Sequence, residues 1–205
     1  MKKIRTMASV AAMGATAALV GGVLSPGVAA AQDDRLELSY NVTGSAYVAG
    51  MDSNIPIEAT VDVQLDLKTG DFDSQFTQTS VPHVKFKAFG MFDSELDVEF
   101  YEAAPSSGTF QAGEVDFTLP LQIKLRELTA LGFPLMVGEN CVQQEPPTLN
   151  LGSVDEFIPT EGGSLETVEP YTLSEWSEDC GFSTFLINMN SAGGDNTAEV
   201  TLTAK

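Results

Sequence analysis

Apolar and polar residues alternate with a period of two from Arg35 almost to the C-terminus, and nothing else in the chain restricts the fold as much. Between Ile57 and Lys68, Val61, Val63, Leu65 and Leu67 fall on one side while Asp62, Gln64, Asp66 and Lys68 fall on the other. Neighbouring side chains on an extended strand point to opposite faces, so this run reads as a strand with one buried and one wet face. The same reading covers Arg35 to Thr43 and Val115 to Leu125. It also covers a hairpin in which Val84, Phe86 and Ala88 face the core with Leu96, Val98 and Phe100. Helical spacing of apolar residues is scarce beyond the N-terminal run, so the expected fold is all-β.

About nine or ten short antiparallel strands at this spacing point to a single β-sandwich, immunoglobulin-like, with one disulfide, rather than to a barrel with a ligand cavity. Its core is expected to hold Val61, Val63, Leu65, Leu67, Phe86, Leu96, Val98, Phe117, Leu119, Leu121 and Ile123, with Asp62, Asp66, Glu95 and Asp97 in solvent. Coincident apolar faces place Lys85 opposite Asp97 or Glu99, and Lys87 opposite Glu95 or Asp97. Pro120 lacks a ladder donor, so its strand lies at an edge or is broken there by a bulge or a sheet switch. Leu128 and Leu131 are three apart, which reads as a short helical turn over Arg126 to Leu131. Phe182 to Met189 reads as the core strand of the C-terminal half, and the stretch Ser191 to Asn196 as a glycine-rich hairpin loop.

The N-terminus has its own logic. Lys2, Lys3 and Arg5 precede an apolar, alanine-rich run from Met7 to Leu24, and Val28-Ala29-Ala30-Ala31 closes it. That is the order of a secretory signal peptide over residues 1–31, leaving a β-sandwich domain over residues 32–205. With 10 basic residues in the whole chain, three of them in the signal, seven remain against 29 acids, so the mature net charge is 7 − 29 = −22. Such a chain is repelled by nucleic acid and by anionic lipid headgroups. No transmembrane segment is expected once the signal is removed.

Export makes the compartment oxidising, and Cys141 and Cys180 are the chain's two cysteines. They read as one structural disulfide closing a loop of about 40 residues, worth roughly 4 kcal/mol by chain entropy. A redox pair would sit closer together, and a metal site would need further ligands.

Other residues invite chemical readings. His83 is the single histidine, so a Ser-His-Asp apparatus would have to use it, yet no nucleophile-elbow pattern accompanies it. Asp93, Glu95, Asp97 and Glu99 recur every second residue, about 6.8 Å apart on a strand. That spacing suits a glycosidase pair or a weak calcium site, but a solvated face opposite Lys85 and Lys87 accounts for it as well. Ser191 to Asn196 lacks the lysine and the following helix of a phosphate loop. No residue is therefore assigned a catalytic, cofactor-binding or metal-binding role, and no cofactor is expected.

Three segments carry a resemblance. Gly132 to Cys141 spells G-x-P-L-x-x-G-x-x-C; Tyr171-Thr172 precedes Cys180-Gly181; and Ser191 to Thr197 is a late glycine-rich loop ending in Asn-Thr. In these the last 85 or so residues resemble a group of secreted, largely uncharacterised actinobacterial proteins, departing from them at Ser174, where a proline is usual, and at Ala192. The resemblance implies export, an all-β fold and the disulfide, and carries over no catalytic residue. The expected function is a non-enzymatic role, binding or structural, in the cell envelope or outside the cell, with a cell-wall or extracellular protein as partner. The alternative is a secreted, carboxylate-dependent, glycosidase-like hydrolase.

Overall fold

The computed structural model describes residues 34–205; the signal peptide expected over residues 1–31 lies outside the described residues. The described chain is all-β and antiparallel, with one disulfide and one short helix. Its twelve strands are β1 (Arg35–Val48), β2 (Ser53–Asp66), β3 (Asp71–Gln78), β4 (His83–Ala88), β5 (Phe92–Glu102), β6 (Ser106–Gln111), β7 (Glu114–Ala130), β8 (Phe133–Leu135), β9 (Thr148–Ser153), β10 (Gly162–Thr167), β11 (Tyr171–Leu173) and β12 (Gly193–Ala204). The helix, α1, spans Thr184–Ser191 and follows a 3₁₀ segment at Glu178–Ser183. No helix among the described residues is long and apolar enough to cross a membrane.

The count exceeds nine or ten because β8 and β11, of three residues each, leave too short an alternation to read. The sheet also does more than an immunoglobulin-like sandwich would. Hydrogen bonding runs β7-β6-β3-β2-β1-β12-β10-β9 and returns from β9 to β7, through Phe117↔Leu151 and Leu119↔Leu149, so eight strands form a closed ladder with no open edge. Closure satisfies backbone groups that two separate sheets would leave at their edges. The ring is filled by Tyr40, Val61, Phe72, Phe117, Leu151 and Val200 among others. The voids left inside it are only about 30 Å³ each, the packing expected of a solid core.

Strand β7 belongs to two sheets, and Pro120 marks the exchange. Up to Thr118 it pairs with β6, and from Leu121 it pairs with β5 instead. The expected switch near Pro120 is thus present. Beyond it, β4, β5, β7 and β8 form a second, smaller sheet that projects from the ring.

Several expectations fail here for local reasons. Arg126 to Leu131 is not a helical turn. Asp97 pairs with Glu127 and Val98 with Leu125, leaving Arg126 as the extra residue of a β-bulge. The bulge shifts the inward face from Leu121, Ile123 and Leu125 to Leu128 and Ala130, so a strand imitates helical spacing. Lys85 pairs with Glu95 rather than with Asp97 or Glu99, and Lys87 with Asp93 rather than with Glu95 or Asp97. Face matching holds, since the paired numbers sum to an even value, but the loop Phe89-Gly90-Met91 is tighter than expected. Leu67 lies past the end of β2 and is 63% exposed rather than in the core, whereas Val63 and Phe86 are half-buried against it. Phe182 to Met189 is helical instead of a core strand, and Ser191 to Asn196 ends α1 and begins β12 instead of forming a hairpin loop.

Candidate ligand cavity

The second sheet curls over one end of the ring. Its inner face, from Phe86, Ser94, Leu96, Leu125 and Leu128, looks across at Val48, Met51 and Ile55 where β1 turns into β2. Between them lies a cavity of about 260 Å³, closed on its remaining side by Leu173, Trp176 and α1. An apolar cavity of about 150 Å³ already takes up benzene, so this one has room for a compact ring or a single chain. None of the residues lining it is charged.

The cap is held by hydrogen bonds that use up most of its polar atoms. Trp176 Nε1 donates to Ser191 Oγ at 2.9 Å, and that hydroxyl donates in turn to the Ile187 carbonyl at 2.9 Å. The Trp176 backbone N–H reaches Asn188 Oδ1 at 2.7 Å. Asn190 Oδ1 accepts the Phe89 N–H at 2.8 Å, which ties α1 to the β4–β5 turn. On the other side, Asn196 Oδ1 accepts the Ala49 N–H at 2.9 Å and its Nδ2 donates to the Tyr171 carbonyl at 2.9 Å. Gly50 lets the β1–β2 turn approach α1, because a Cβ there would stand 2.4 Å from the Asn190 carbonyl oxygen.

The disulfide anchors the same cap. Cys141 and Cys180 are fully buried and bonded, with Cα atoms 4.4 Å apart. They join the segment before β9 to the 3₁₀ segment leading into α1, where Gly181 adopts φ +67°.

The mouth of the cavity is apolar on its outside. Phe89, Phe92, Leu131 and Leu186 each line the cavity while remaining substantially exposed, and Met91, Phe133, Phe185 and Met189 extend the exposed surface from the same elements. Phe89 and Leu131 occupy the left-handed backbone region, at φ 53° and 52°. Bulky residues are rare there, and Gly or Asn fits better. These two turns place large apolar side chains at a conformational cost.

On α1 and the end of the 3₁₀ segment before it the usual pattern is inverted. Ser183, Ile187, Asn190 and Ser191 are buried at helical spacing, while Phe182 (98% exposed), Phe185 and Met189 face outward. The helix period is therefore carried largely by polar residues, which is why an apolar-pattern reading missed it. A detectable signal did exist: the turns Phe89-Gly90-Met91-Phe92 and Leu131-Gly132-Phe133 are apolar where turn sequences are ordinarily polar.

The acidic ladder lies on the opposite face of β5 from the cavity. Glu95 Oε1 meets Lys85 Nζ at 2.9 Å, Asp97 Oδ1 meets His83 Nδ1 at 2.7 Å, Glu99 Oε2 meets Arg126 Nη1 at 2.8 Å, and Asp93 pairs with Lys87. The hydrogen bond and charge of Lys85 hold the Glu95 carboxyl below the usual carboxylate range and raise the Lys85 ammonium above its own. A carboxylate so held suits an ion pair rather than a proton donor at neutral pH. Among the described residues, no three His, Cys, Asp or Glu side chains converge as metal ligands would. Comparison with protein-family models, with curated proteins and with solved structures finds no match to this chain.

Proposed function

We propose that this is an exported, non-enzymatic binding protein of the cell envelope or extracellular space, and that it takes an apolar ligand into the cavity between the second sheet and α1. Export rests on the N-terminal order of basic, apolar and small residues. Binding rests above all on the uncharged cavity of about 260 Å³ opening through an apolar rim. A pocket of this kind with few polar groups is the chemistry that holds hydrocarbon. The paired acids of β5, back to back with the cavity and neutralised across the strand, lend a hydrolase reading less support.

The test is a series of straight-chain alkanes titrated against Trp176, the chain's single tryptophan and part of the cavity wall. Each buried methylene is worth about 0.8 kcal/mol, or about fourfold in affinity, until the cavity is full. Saturable one-to-one binding that tightens with chain length and then levels off is expected. Absence of saturable binding across the series would overturn the proposal.

A further inference from the structure

Resting on that reading, we propose that the ligand carries a neutral carbonyl, ester or ketone, on its hydrocarbon chain, and that Asn190 recognises it through Nδ2. Three polar aliphatic side chains, Ser94, Asn190 and Ser191, line the cavity. Ser94 Oγ donates to the Phe92 carbonyl at 3.2 Å, and Ser191 Oγ donates to the Ile187 carbonyl while accepting from Trp176. Both hydroxyl protons are thus committed. Asn190 differs. The Phe89 N–H is a donor and can be met only by the amide oxygen, so the amide orientation is set by that bond and Nδ2 stands on the other side. No hydrogen bond from Nδ2 to another described residue is formed, although Asn190 is only 8% exposed.

An amide N–H₂ with no acceptor among the described residues, in a wall otherwise apolar, gains from an acceptor and not from hydrocarbon. The acceptor must be uncharged. No lining residue is cationic, so a fatty-acid carboxylate would enter without a counter-charge and at large desolvation cost. A mature net charge of −22 adds repulsion at long range. An ester or ketone meets both conditions.

The experiment compares decane, methyl octanoate and octanoate, all followed by Trp176 emission. The expected order is methyl octanoate tighter than decane by about threefold to tenfold, the worth of one net neutral hydrogen bond, with octanoate weakest. Asn190→Asp keeps an oxygen for the Phe89 N–H and removes the donor; it should bring the ester-to-alkane affinity ratio to one or below. Asn190→Leu, which removes both functions, should do the same if it folds, and the thermal transition of each variant reports folding independently. Equal binding of decane and methyl octanoate by the unaltered protein overturns this inference and leaves the apolar cavity reading standing. So does a preference that survives in Asn190→Asp, or tightest binding by octanoate. Failure of all three ligands to bind overturns both.

Discussion

Leu131→Asn sets two opposed terms against each other. At φ 52° a leucine bears the crowding of Cβ against the following carbonyl, about 1–2 kcal/mol, most of which asparagine escapes because its short side chain tolerates that region. Against this stands lost burial. Leu131 is 60% exposed, and about two-fifths of the roughly 1.5–3 kcal/mol for a fully buried leucine comes to about 0.6–1.2 kcal/mol. The terms nearly cancel, so unfolding free energy in urea should change by no more than about 0.5 kcal/mol, with an unaltered slope. Affinity for decane, followed by Trp176 emission, should nevertheless weaken several-fold, because an apolar wall of the mouth has become polar. A loss of stability of about 2 kcal/mol or more would show that Leu131 is a structural residue whose exposure misleads. Unchanged decane affinity would refute the assignment of this turn to the mouth.

Further outcomes follow from other parts of the molecule. Replacing both cysteines by alanine should lower stability by roughly 2–4 kcal/mol for a loop with 39 residues of separation, measured by urea unfolding; a loss under about 1 kcal/mol would show the bond to be strained or redundant. Ala130→Phe should fill part of the cavity and abolish alkane binding while the thermal transition persists, and binding that survives would place the ligand elsewhere. Lys85→Ala should raise the Glu95 midpoint in an NMR titration towards the ordinary carboxylate value, since the lysine is the principal cause of its depression; an unmoved midpoint would exclude the ion pair in solution. Burial raises the Tyr171 hydroxyl from 10.0 to about 12, so the folded state favours the protonated phenol: stability is complete below pH 10.0 and is lost as pH rises towards about 12. Alkaline melting with no loss across that window would count against a buried Tyr171.

The framework of the fold was legible because its information is local and periodic. Val61, Leu65, Leu96, Val98, Phe117, Leu119, Leu121 and Ile123 are buried as the alternation requires. Pro120 announced the sheet switch because a missing donor has a fixed consequence in a ladder. What failed was phase and closure. One extra residue at Arg126 moved the inward face from odd to even positions, and a sequence cannot distinguish such a shift from helical spacing over six residues. Leu67 continued the alternation of β2 after the strand had ended, so its pattern was right and its location was not. Ring closure through β7 and β9 joins residues some thirty positions apart, a pairing that no local pattern encodes.

The cavity was hidden for a different reason, which bears on what the cap does. Its walls come from β1, β2, β4, β5, β7, the segment around Trp176 and α1, so no short motif could announce it. Stability alone would favour the opposite of what α1 and its neighbouring turns present: apolar residues inward, polar residues outward, and Gly or Asn at positive φ. Instead Phe182, Phe185 and Met189 face solvent, Phe89 and Leu131 sit in the left-handed region, and Asn190, a polar residue, occupies a buried position with no acceptor among the described residues for its Nδ2. Departures from local rules that gather at one place are what a site at which stability has been yielded to function would show. Those just named surround one cavity mouth, while Ala112 at φ 54° and the buried, unpaired side-chain amide of Gln143 lie outside its lining. The disulfide adds a covalent anchor to the hydrogen bonds and to buried Trp176 and Ile187 that hold the cap, because Cys180 stands a few residues before α1 begins.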